Sequence, residues 1–220
     1  MMNRRHFLAL SAALPAGLWL GAARADVSGV GPLWDATSDA LDALAKARKP
    51  LKTLVAKFKQ TRVIGLLAEP VVSSGQLTLV NPDQLRWELY APDDITYWVS
   101  PSGVAYKSGK AKKATKAPAD AFGKALPDLV AFLGGDLAKL KSRYELSATT
   151  EKDGSIEVVA TVTDAKLKEA LKKLRMKTNA EKWGIAKVVI EEPKGDSSSI
   201  TFEANKRDEK VDPDSMKPPA

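Results

Sequence analysis

Residues 74–90 read SGQLTLVNPDQLRWELY, and this stretch decides the fold of the chain. Apolar and polar side chains alternate on both sides of an Asn-Pro turn, which is the pattern of two antiparallel strands with one buried face. The apolar face carries Leu77, Leu79, Leu85, Trp87 and Leu89. The opposite face carries Gln76, Thr78, Arg86 and Glu88. The stretch therefore predicts a sheet with one apolar and one polar surface.

The same period extends over most of the chain. Further strands are predicted at residues 60–67, 97–99, 104–106, 144–148, 156–162, 175–179, 185–191 and 199–204, separated by proline and glycine turns. Helical spacing predicts helices at residues 33–48 and 51–58, two or three short helices between 119 and 140, and a short helix at 165–174. A polar tail beyond residue 205 is expected to be loosely held. About ten antiparallel strands with separated helices predict an α+β protein.

The first 25 residues have the features of an export signal. Arg4 and Arg5 precede an uncharged apolar stretch, and Ala23-Arg24-Ala25 forms a small-x-small cleavage site. The apolar stretch is shorter than a membrane span requires. We therefore predict a signal peptide over residues 1–25, cleaved after Ala25, and one periplasmic domain over residues 26–220. The paired arginines fit a twin-arginine signal, and an ordinary Sec signal remains the alternative.

The residue types that are absent limit the chemistry. The chain has no cysteine, and its one histidine, His6, lies in the predicted signal. Catalytic triads, Cys-His pairs, histidine-ligated metals and thiol redox centres are therefore excluded for the mature chain. The acidic pairs Asp93-Asp94 and Glu191-Glu192 lie beside prolines, in places typical of solvated charge. The sequence thus predicts a protein that is not an enzyme and has no metal or other cofactor, and an enzyme that uses a pair of carboxylates is the alternative.

The net charge is not typical of a protein that binds nucleic acid. It is +7 for the full chain, and it falls to +4 once the three arginines of the predicted signal are removed. This mild basic balance is not the footprint of a nucleic-acid-binding domain. The lysines of residues 107–116 are expected in a loop, which either stays solvated or faces an anionic headgroup.

An ordered series of motifs resembles the LolA family of periplasmic lipoprotein carriers. The series comprises Phe58-Lys59-Gln60-Thr61, Ser74-Gly75-Gln76-Leu77, residues 81–88 as a P-x-x-L-x-W strand, Ala91-Pro92, Ser100-Pro101-Ser102-Gly103, the helical segment 126–140 and the closing strand with Pro218-Pro219. The resemblance implies a strongly curved, unclosed antiparallel half-barrel with short helices as a lid. It also implies an acylated lipoprotein or lipid as cargo, an inner-membrane ABC-type exporter as donor and an outer-membrane acceptor. The carrier itself is expected to be a monomer.

The resemblance and the apolar pattern together give a set of candidate ligand-binding residues. The set is Phe58, Leu77, Leu79, Leu85, Trp87, Leu89, Trp98, Phe122, Leu126, Leu129 and Phe132. If they line an apolar cavity under the lid, the protein carries acyl chains. If they meet as a closed core, the transport hypothesis fails. A periplasmic module that senses lipid or lipoprotein on the same half-barrel is the alternative function.

One departure from the family concerns control of the lid. An arginine that is common in the family just before the proline of the P-x-x-L-x-W strand, where it helps to latch the lid, is Asn81 in this chain. Arg62 and Arg86 are the candidates for a substitute contact. The identity of the cargo, and whether the carrier serves all lipoproteins or one pathway, are open at this stage.

Overall fold

The computed structural model describes residues 33–117 and 121–220, so the predicted signal peptide lies outside the described residues. Eleven strands form one antiparallel sheet in the order β6-β5-β4-β3-β2-β1-β11-β10-β9-β8-β7. The strands are β1 Thr53–Val63, β2 Val71–Val80, β3 Gln84–Leu89, β4 Ile95–Ser100, β5 Gly103–Ser108, β6 Thr115–Lys116, β7 Tyr144–Thr150, β8 Ile156–Val162, β9 Lys173–Thr178, β10 Ile185–Glu191 and β11 Ser197–Arg207. The sheet is curved and unclosed, with β6 and β7 at its two edges.

Two α-helices accompany the sheet. Helix α1 spans Leu33–Arg48 and packs mainly against β7, one of the two edge strands. Helix α2 spans Ala121–Gly134 and lies against the apolar face of the sheet. Short 3₁₀ turns occupy Leu137–Leu140, Leu167–Glu169 and Pro213–Met216. No helix within the described ranges is long and apolar enough to cross a membrane.

The register confirms the alternation read from residues 74–90. Leu79 lies opposite Leu85, and Leu77 lies opposite Trp87, across the β2–β3 pair. All of these side chains are fully buried. The apolar faces of neighbouring strands continue the same surface, so the sheet presents one concave apolar face to α2. The α+β class and the curved, unclosed sheet are as predicted.

One predicted helix is wrong. Residues 51–58 show helical spacing, yet β1 begins at Thr53 and continues through this segment to Val63. Leu54, Ala56 and Phe58 are buried in strict alternation. The apolar positions fit both the helical period of about 3.6 residues and the strand period of about 2. The segment is a strand because it pairs with β2 on one side and with β11 on the other. Short segments of this kind adopt the structure that their neighbours in the sheet impose.

Two further expectations differ at the ends of elements. Residues 165–174 form only a 3₁₀ turn before β9 begins at Lys173, and Thr115–Lys116 add a short eleventh strand inside the predicted basic loop. The C-terminal tail is held in place. The Asp208 carboxylate accepts a hydrogen bond from the backbone N–H of Lys52 at 2.8 Å, and the Pro219 carbonyl accepts one from the N–H of Ala114 at 3.0 Å.

Candidate functional site

Ten of the eleven candidate residues meet in one apolar layer between the concave face and α2. The sheet contributes Phe58, Leu77, Leu79, Leu85, Trp87 and Leu89, and α2 contributes Phe122, Leu126, Leu129 and Phe132. The sheet residues all point inward because they occupy alternate positions on three paired strands. The α2 residues form one stripe at helical spacing. Strand alternation and helix periodicity therefore aim both sets at the same layer.

The eleventh candidate, Trp98, lies on the other face of the sheet. Its neighbours on β4, Tyr97 and Val99, point into the apolar layer, so Trp98 points outward, opposite Arg86 of β3. Its indole N–H donates a hydrogen bond to the Ser215 carbonyl at 3.1 Å. Trp98 is buried because the C-terminal tail crosses this face, and it stabilises the tail instead of lining the layer.

Aromatic rings fill the centre of the layer. The ring of Trp87 has its centroid 4.4 Å from that of Phe58, 5.4 Å from that of Phe122 and 6.1 Å from that of Phe202. Trp87 is fully buried, and its indole N–H has no hydrogen-bond partner in residues 33–117 and 121–220. The wide hollow expected from the sequence is absent, because these side chains fill the layer.

Phe58 reaches this position because residue 75 is glycine. Gly75 lies directly opposite Phe58 on β2. A Cβ atom at residue 75 would lie 2.6 Å from the Phe58 ring and 1.9 Å from the Glu88 carbonyl oxygen. No larger residue fits there, so the glycine of the Ser-Gly-x-Leu motif has a structural role. It allows the Phe58 ring to lie across β2 toward Trp87.

A cavity of about 180 Å³ opens beside this layer, at the end of the sheet where β1 ends and β2 begins. Its apolar lining includes Leu89, Ile95, Tyr97 and Phe122. Its other side is polar and includes Gln60, Arg62, Glu192, Asp196, Ser197 and Ser198. The buried Oε1 atom of Gln60 accepts no hydrogen bond from any part of the chain that the structure describes. We call this cavity the mouth. A cavity of about 150 Å³ holds a molecule of the size of benzene, so the mouth admits a short piece of hydrocarbon.

The C-terminal end of α2 is fastened by Arg48, the last residue of α1. Its guanidinium donates hydrogen bonds to the carbonyls of Phe132 and Leu133 in the last turn of α2, and to those of Lys182 and Gly184 in the β9–β10 loop. A cation at this point satisfies helix carbonyls that have no intrahelical partner and complements the helix dipole. Burial lowers the pKa of Arg48 to about 9.

Arg48 holds the end of α2, and the two substitutes expected from the sequence do not. Arg62 lies 3.9 Å from Asp93, and Arg86 pairs with Glu88 at 3.1 Å on the outer face of the sheet. Asn81 instead donates a hydrogen bond to the Leu51 carbonyl at 2.6 Å. The sequence contains one indication of the role of Arg48, which is a cation at the end of a predicted helix. The backbone carbonyls that Arg48 binds cannot be recognised from the sequence, because every residue has one.

A second contact holds the middle of α2. The Asp128 carboxylate accepts hydrogen bonds from the Arg143 guanidinium at 2.6 Å and from the Tyr144 hydroxyl, both at the start of β7. Burial raises the pKa of Asp128 and outweighs the opposing effects of Tyr144 and Arg143. The first turns of α2 pack on the sheet through the fully buried Ala125 and Leu126 and through Phe122, which is half-buried in the mouth.

The acidic pairs are engaged in structural contacts. Asp93 accepts a hydrogen bond from the Ser73 hydroxyl, and Glu191 pairs with Arg175 at 3.0 Å. Within residues 33–117 and 121–220, no group of three histidine, cysteine, aspartate or glutamate side chains is arranged to hold a metal ion.

The chain is similar to known proteins in its family and in its fold. The model of the family described as outer membrane lipoprotein carrier protein LolA matches residues 49–218. No curated protein sequence matches the chain significantly. Among solved structures, a DUF1329 family protein from Desulfovibrio piger is similar with a TM-score of 0.53 and 8% sequence identity, covering 83% of this chain and 97% of that one.

Two other solved structures are similar at lower scores. A LolA superfamily protein from Nitrosomonas europaea has a TM-score of 0.43 and 9% identity, covering 82% of this chain and 96% of that one. Lipoprotein LppX from Mycobacterium tuberculosis has a TM-score of 0.46 and 14% identity, covering 81% of this chain and 98% of that one.

Proposed function

The chain belongs to the LolA family of outer membrane lipoprotein carriers, and from this membership we propose that it is a periplasmic carrier of acylated cargo. The cargo's acyl chains, those of a lipoprotein or of another acylated molecule, bind between the concave face of the sheet and α2. The protein then ferries them toward the outer membrane. The observation that carries the proposal is the continuous apolar layer between a curved sheet and one amphipathic helix.

The candidate residues meet as a closed core, so transport through a permanent hollow fails as a hypothesis. The carrier proposal therefore requires that the layer opens before an acyl chain enters. The mouth, at about 180 Å³, is too small for a chain of about 16 carbons, since about 150 Å³ holds only a benzene-sized molecule. The acyl chain must therefore replace side chains of α2. Each leucine or phenylalanine contributes about 1.5–3 kcal/mol on burial, and each methylene of an acyl chain contributes about 0.8 kcal/mol. Phe122 and Leu126, the two large apolar side chains that precede Pro127 on α2, together contribute about 3–6 kcal/mol, which is less than an acyl chain of about 16 carbons contributes.

Pro127 divides α2 at the point where opening is easiest. A proline inside a helix has no N–H to donate to the preceding turn, so the helix is weak there. The C-terminal part is held by Arg48 and Asp128, whereas the N-terminal part covers the mouth with Phe122. In the proposed mechanism the N-terminal part swings about Pro127, and the acyl chain enters along the surface that Phe122 leaves.

The cost of exposing an acyl chain to water explains the proposed partners. An acyl chain of about 16 carbons costs on the order of 10 kcal/mol to expose to water. A carrier without nucleotide therefore receives its cargo from an energised inner-membrane machine, an ABC-type exporter, and passes it to an outer-membrane acceptor. It acts as a monomer, because one sheet edge is a two-residue strand and the other edge is covered by α1.

The proposal is tested with a fluorescent fatty acid titrated into the purified protein. Leu89→Glu places a carboxylate in the mouth, and we expect it to weaken binding more than tenfold because the charge must be desolvated against the acyl chain. Thr201→Glu adds the same charge on the exposed face of β11 and is expected to bind like the wild type.

Circular dichroism separates a binding defect from unfolding. Both variants are expected to keep the wild-type spectrum and a cooperative thermal transition. Absence of probe binding to the wild type, or equal binding by the Leu89→Glu variant, contradicts the proposed site. Recovery of a signalling protein in place of an exporter on cross-linking in cells would favour the sensing module over the carrier.

A further inference from the structure

The exposed apolar side chains of the structure are gathered at one end of the sheet. The described residues expose five large hydrophobic side chains: Val63, Leu66, Leu67, Val72 and Tyr90. Four of them lie in or beside residues 64–70, the connection between β1 and β2, which we call the leucine loop. Leu66 is 96% exposed at its tip, and Leu67 is 50% exposed. Leucines at a loop tip in water are unfavourable unless something covers them in use.

The antiparallel topology explains why the fifth residue is near the other four. β1 runs toward the leucine loop, β2 runs away from it, and β3 returns to the same end. Tyr90 directly follows β3, so it stands at the end of the sheet where the leucine loop lies. The mouth opens at this end as well, because Val63 and Ile64 are part of its lining. Of the five exposed apolar residues, Val63 lines the mouth, and the other four stand at the same end of the sheet.

A group of cations stands at the same end. β5 ends at Ser108 beside the start of β4, and the loop that follows is exposed. It carries Lys110, Lys112 and Lys113, and Lys116 follows on β6. Among the residues that the structure describes, none of these four lysines forms an ion pair. Their charge is thus available to an anionic partner.

The leucine loop is also held in a fixed position. The N–H of Gly65 donates a hydrogen bond to the Asp196 carboxylate at 2.8 Å, and the N–H of Leu67 donates one to the Ile64 carbonyl at 2.9 Å. The first bond ties the loop to the β10–β11 turn, and the second closes a turn that leaves Leu66 projecting. A projecting apolar tip that is braced from behind is suited to insertion into a soft apolar phase.

We propose that this end of the molecule binds the surface of an anionic phospholipid bilayer, with Leu66 and Leu67 inserted at the interface and the lysine loop against the headgroups. Apolar side chains beside lysines are the combination that holds a protein at an anionic membrane interface. A projecting tip offers a protein partner little area, whereas a specific protein interface buries about 800 Å² on each side. In this orientation the mouth faces the lipid. The inference stands on the loops alone and does not depend on the carrier function.

The test is flotation of the exported protein, purified from periplasmic extract, with vesicles at low and at physiological salt. One set of vesicles contains phosphatidylglycerol and phosphatidylethanolamine, and the other contains only phosphatidylcholine. We expect Leu66→Ser with Leu67→Ser to lower the partition coefficient on anionic vesicles by roughly tenfold to a hundredfold. Because Leu66 is so exposed, the thermal transition should stay unchanged.

The lysines are tested by neutralisation at two ends of the molecule. Lys110→Gln, Lys112→Gln and Lys113→Gln together should reduce binding by about fivefold for each lysine at low salt, and by less at physiological salt. Lys46→Gln, Lys49→Gln and Lys210→Gln remove the same charge from exposed positions near the opposite end of the sheet. This control is expected to bind anionic vesicles almost as the wild type does.

Three outcomes would overturn the proposal. The first is wild-type protein that does not float with anionic vesicles, or that floats equally after both leucines are replaced. The second is equal loss of binding in the two lysine variants, which would mean that net charge alone acts. The third is a dimer in light scattering, or a cross-linked protein partner, that disappears with the leucines while vesicle binding does not depend on them.

Discussion

Arg48 brings a positive charge into the interior at the point where two parts of the chain meet the end of α2. It is fully buried, and its partners are backbone carbonyls, two in α2 and two in the β9–β10 loop. Gly135, just after the helix, has φ +83°, and a Cβ there would lie 2.9 Å from the Arg48 Cβ. The left-handed glycine therefore ends α2 and also leaves room for the arginine stem.

We expect Arg48→Leu to lower the free energy of unfolding by about 3 kcal/mol. Four carbonyls lose their donor, at about 1–3 kcal/mol for each buried group that stays unpaired. The leucine keeps much of the buried stem and removes a charge that is costly to bury, which offsets a large part of that loss. Urea denaturation measures this loss, and hydrogen exchange should show faster exchange in the last turns of α2. Lys49→Leu, on the exposed neighbouring residue, is the control and should change stability little. Equal stability of the two variants would contradict the role of Arg48.

The burial of Asp128 leads to a prediction about how the stability of the protein depends on pH. Burial raises the pKa of its carboxyl group above that of an unfolded aspartate, which is about 3.9. The folded protein then holds this proton more tightly than the unfolded chain. The stability that it contributes is present below about pH 4 and is lost as the pH rises through the raised pKa. Asp128→Asn should therefore show a smaller loss of stability than the wild type as the pH rises above about 4.

Urea denaturation at a series of pH values measures the effect. Asp39→Asn, which removes an exposed carboxylate of α1, is the control and should follow the wild-type pH profile in this range. Since Arg143 and Tyr144 both donate to Asp128, the asparagine variant also loses part of its contact with β7 at every pH. If the asparagine variant has the same pH slope as the wild type, the Asp128 carboxyl is not the group that titrates.

At the scale of elements, the sequence predicted that α2 is a helix with one apolar face, but it did not predict what holds the C-terminal end of that helix. The spacing of Phe122, Leu126, Leu129 and Phe132 gave both the helix and its buried face. The apolar pattern of α2 contains no information on which distant side chain would reach its carbonyls. The misread segment 51–58 has a similar origin, because a pattern that fits two periods is decided by strand pairing that the local sequence does not contain.

Pro127 gives the prediction for α2. Pro127→Ala restores an N–H in the helix interior, and proline in such a place costs up to about 3 kcal/mol relative to alanine. The variant should be at least as stable as the wild type. If the N-terminal part of α2 must swing about this residue, the same variant should take up the fatty-acid probe more slowly in stopped-flow fluorescence. Unchanged association with raised stability would show that α2 does not open at Pro127.

For the whole molecule, the sequence predicted which surface is apolar but not how it is filled. Alternation along strands such as β3 gave the concave face directly. The packing of Trp87 against Phe58 and Phe122 depends on ring positions that are fixed in three dimensions, with Gly75 as the one local sign of it. Trp98 shows the same limit: its strand position places it outward, and only the path of the C-terminal tail buries it.

Because the closed layer is full, cargo binding should have an unusual heat capacity. Burying an acyl chain in a cavity that already exists gives a negative heat-capacity change, since apolar surface leaves water. In the exchange that we propose, α2 side chains enter water while the acyl chain leaves it, so the two contributions oppose each other. Calorimetric titration of the wild type with a fatty acid, repeated at several temperatures, is expected to give a heat-capacity change that is negative but smaller in magnitude than that of a preformed cavity. In the Phe122→Ala variant the mouth is already wider, so less α2 surface has to be exposed and the change should be more negative. An equally large negative value in both proteins would mean that the acyl chain binds without displacing α2.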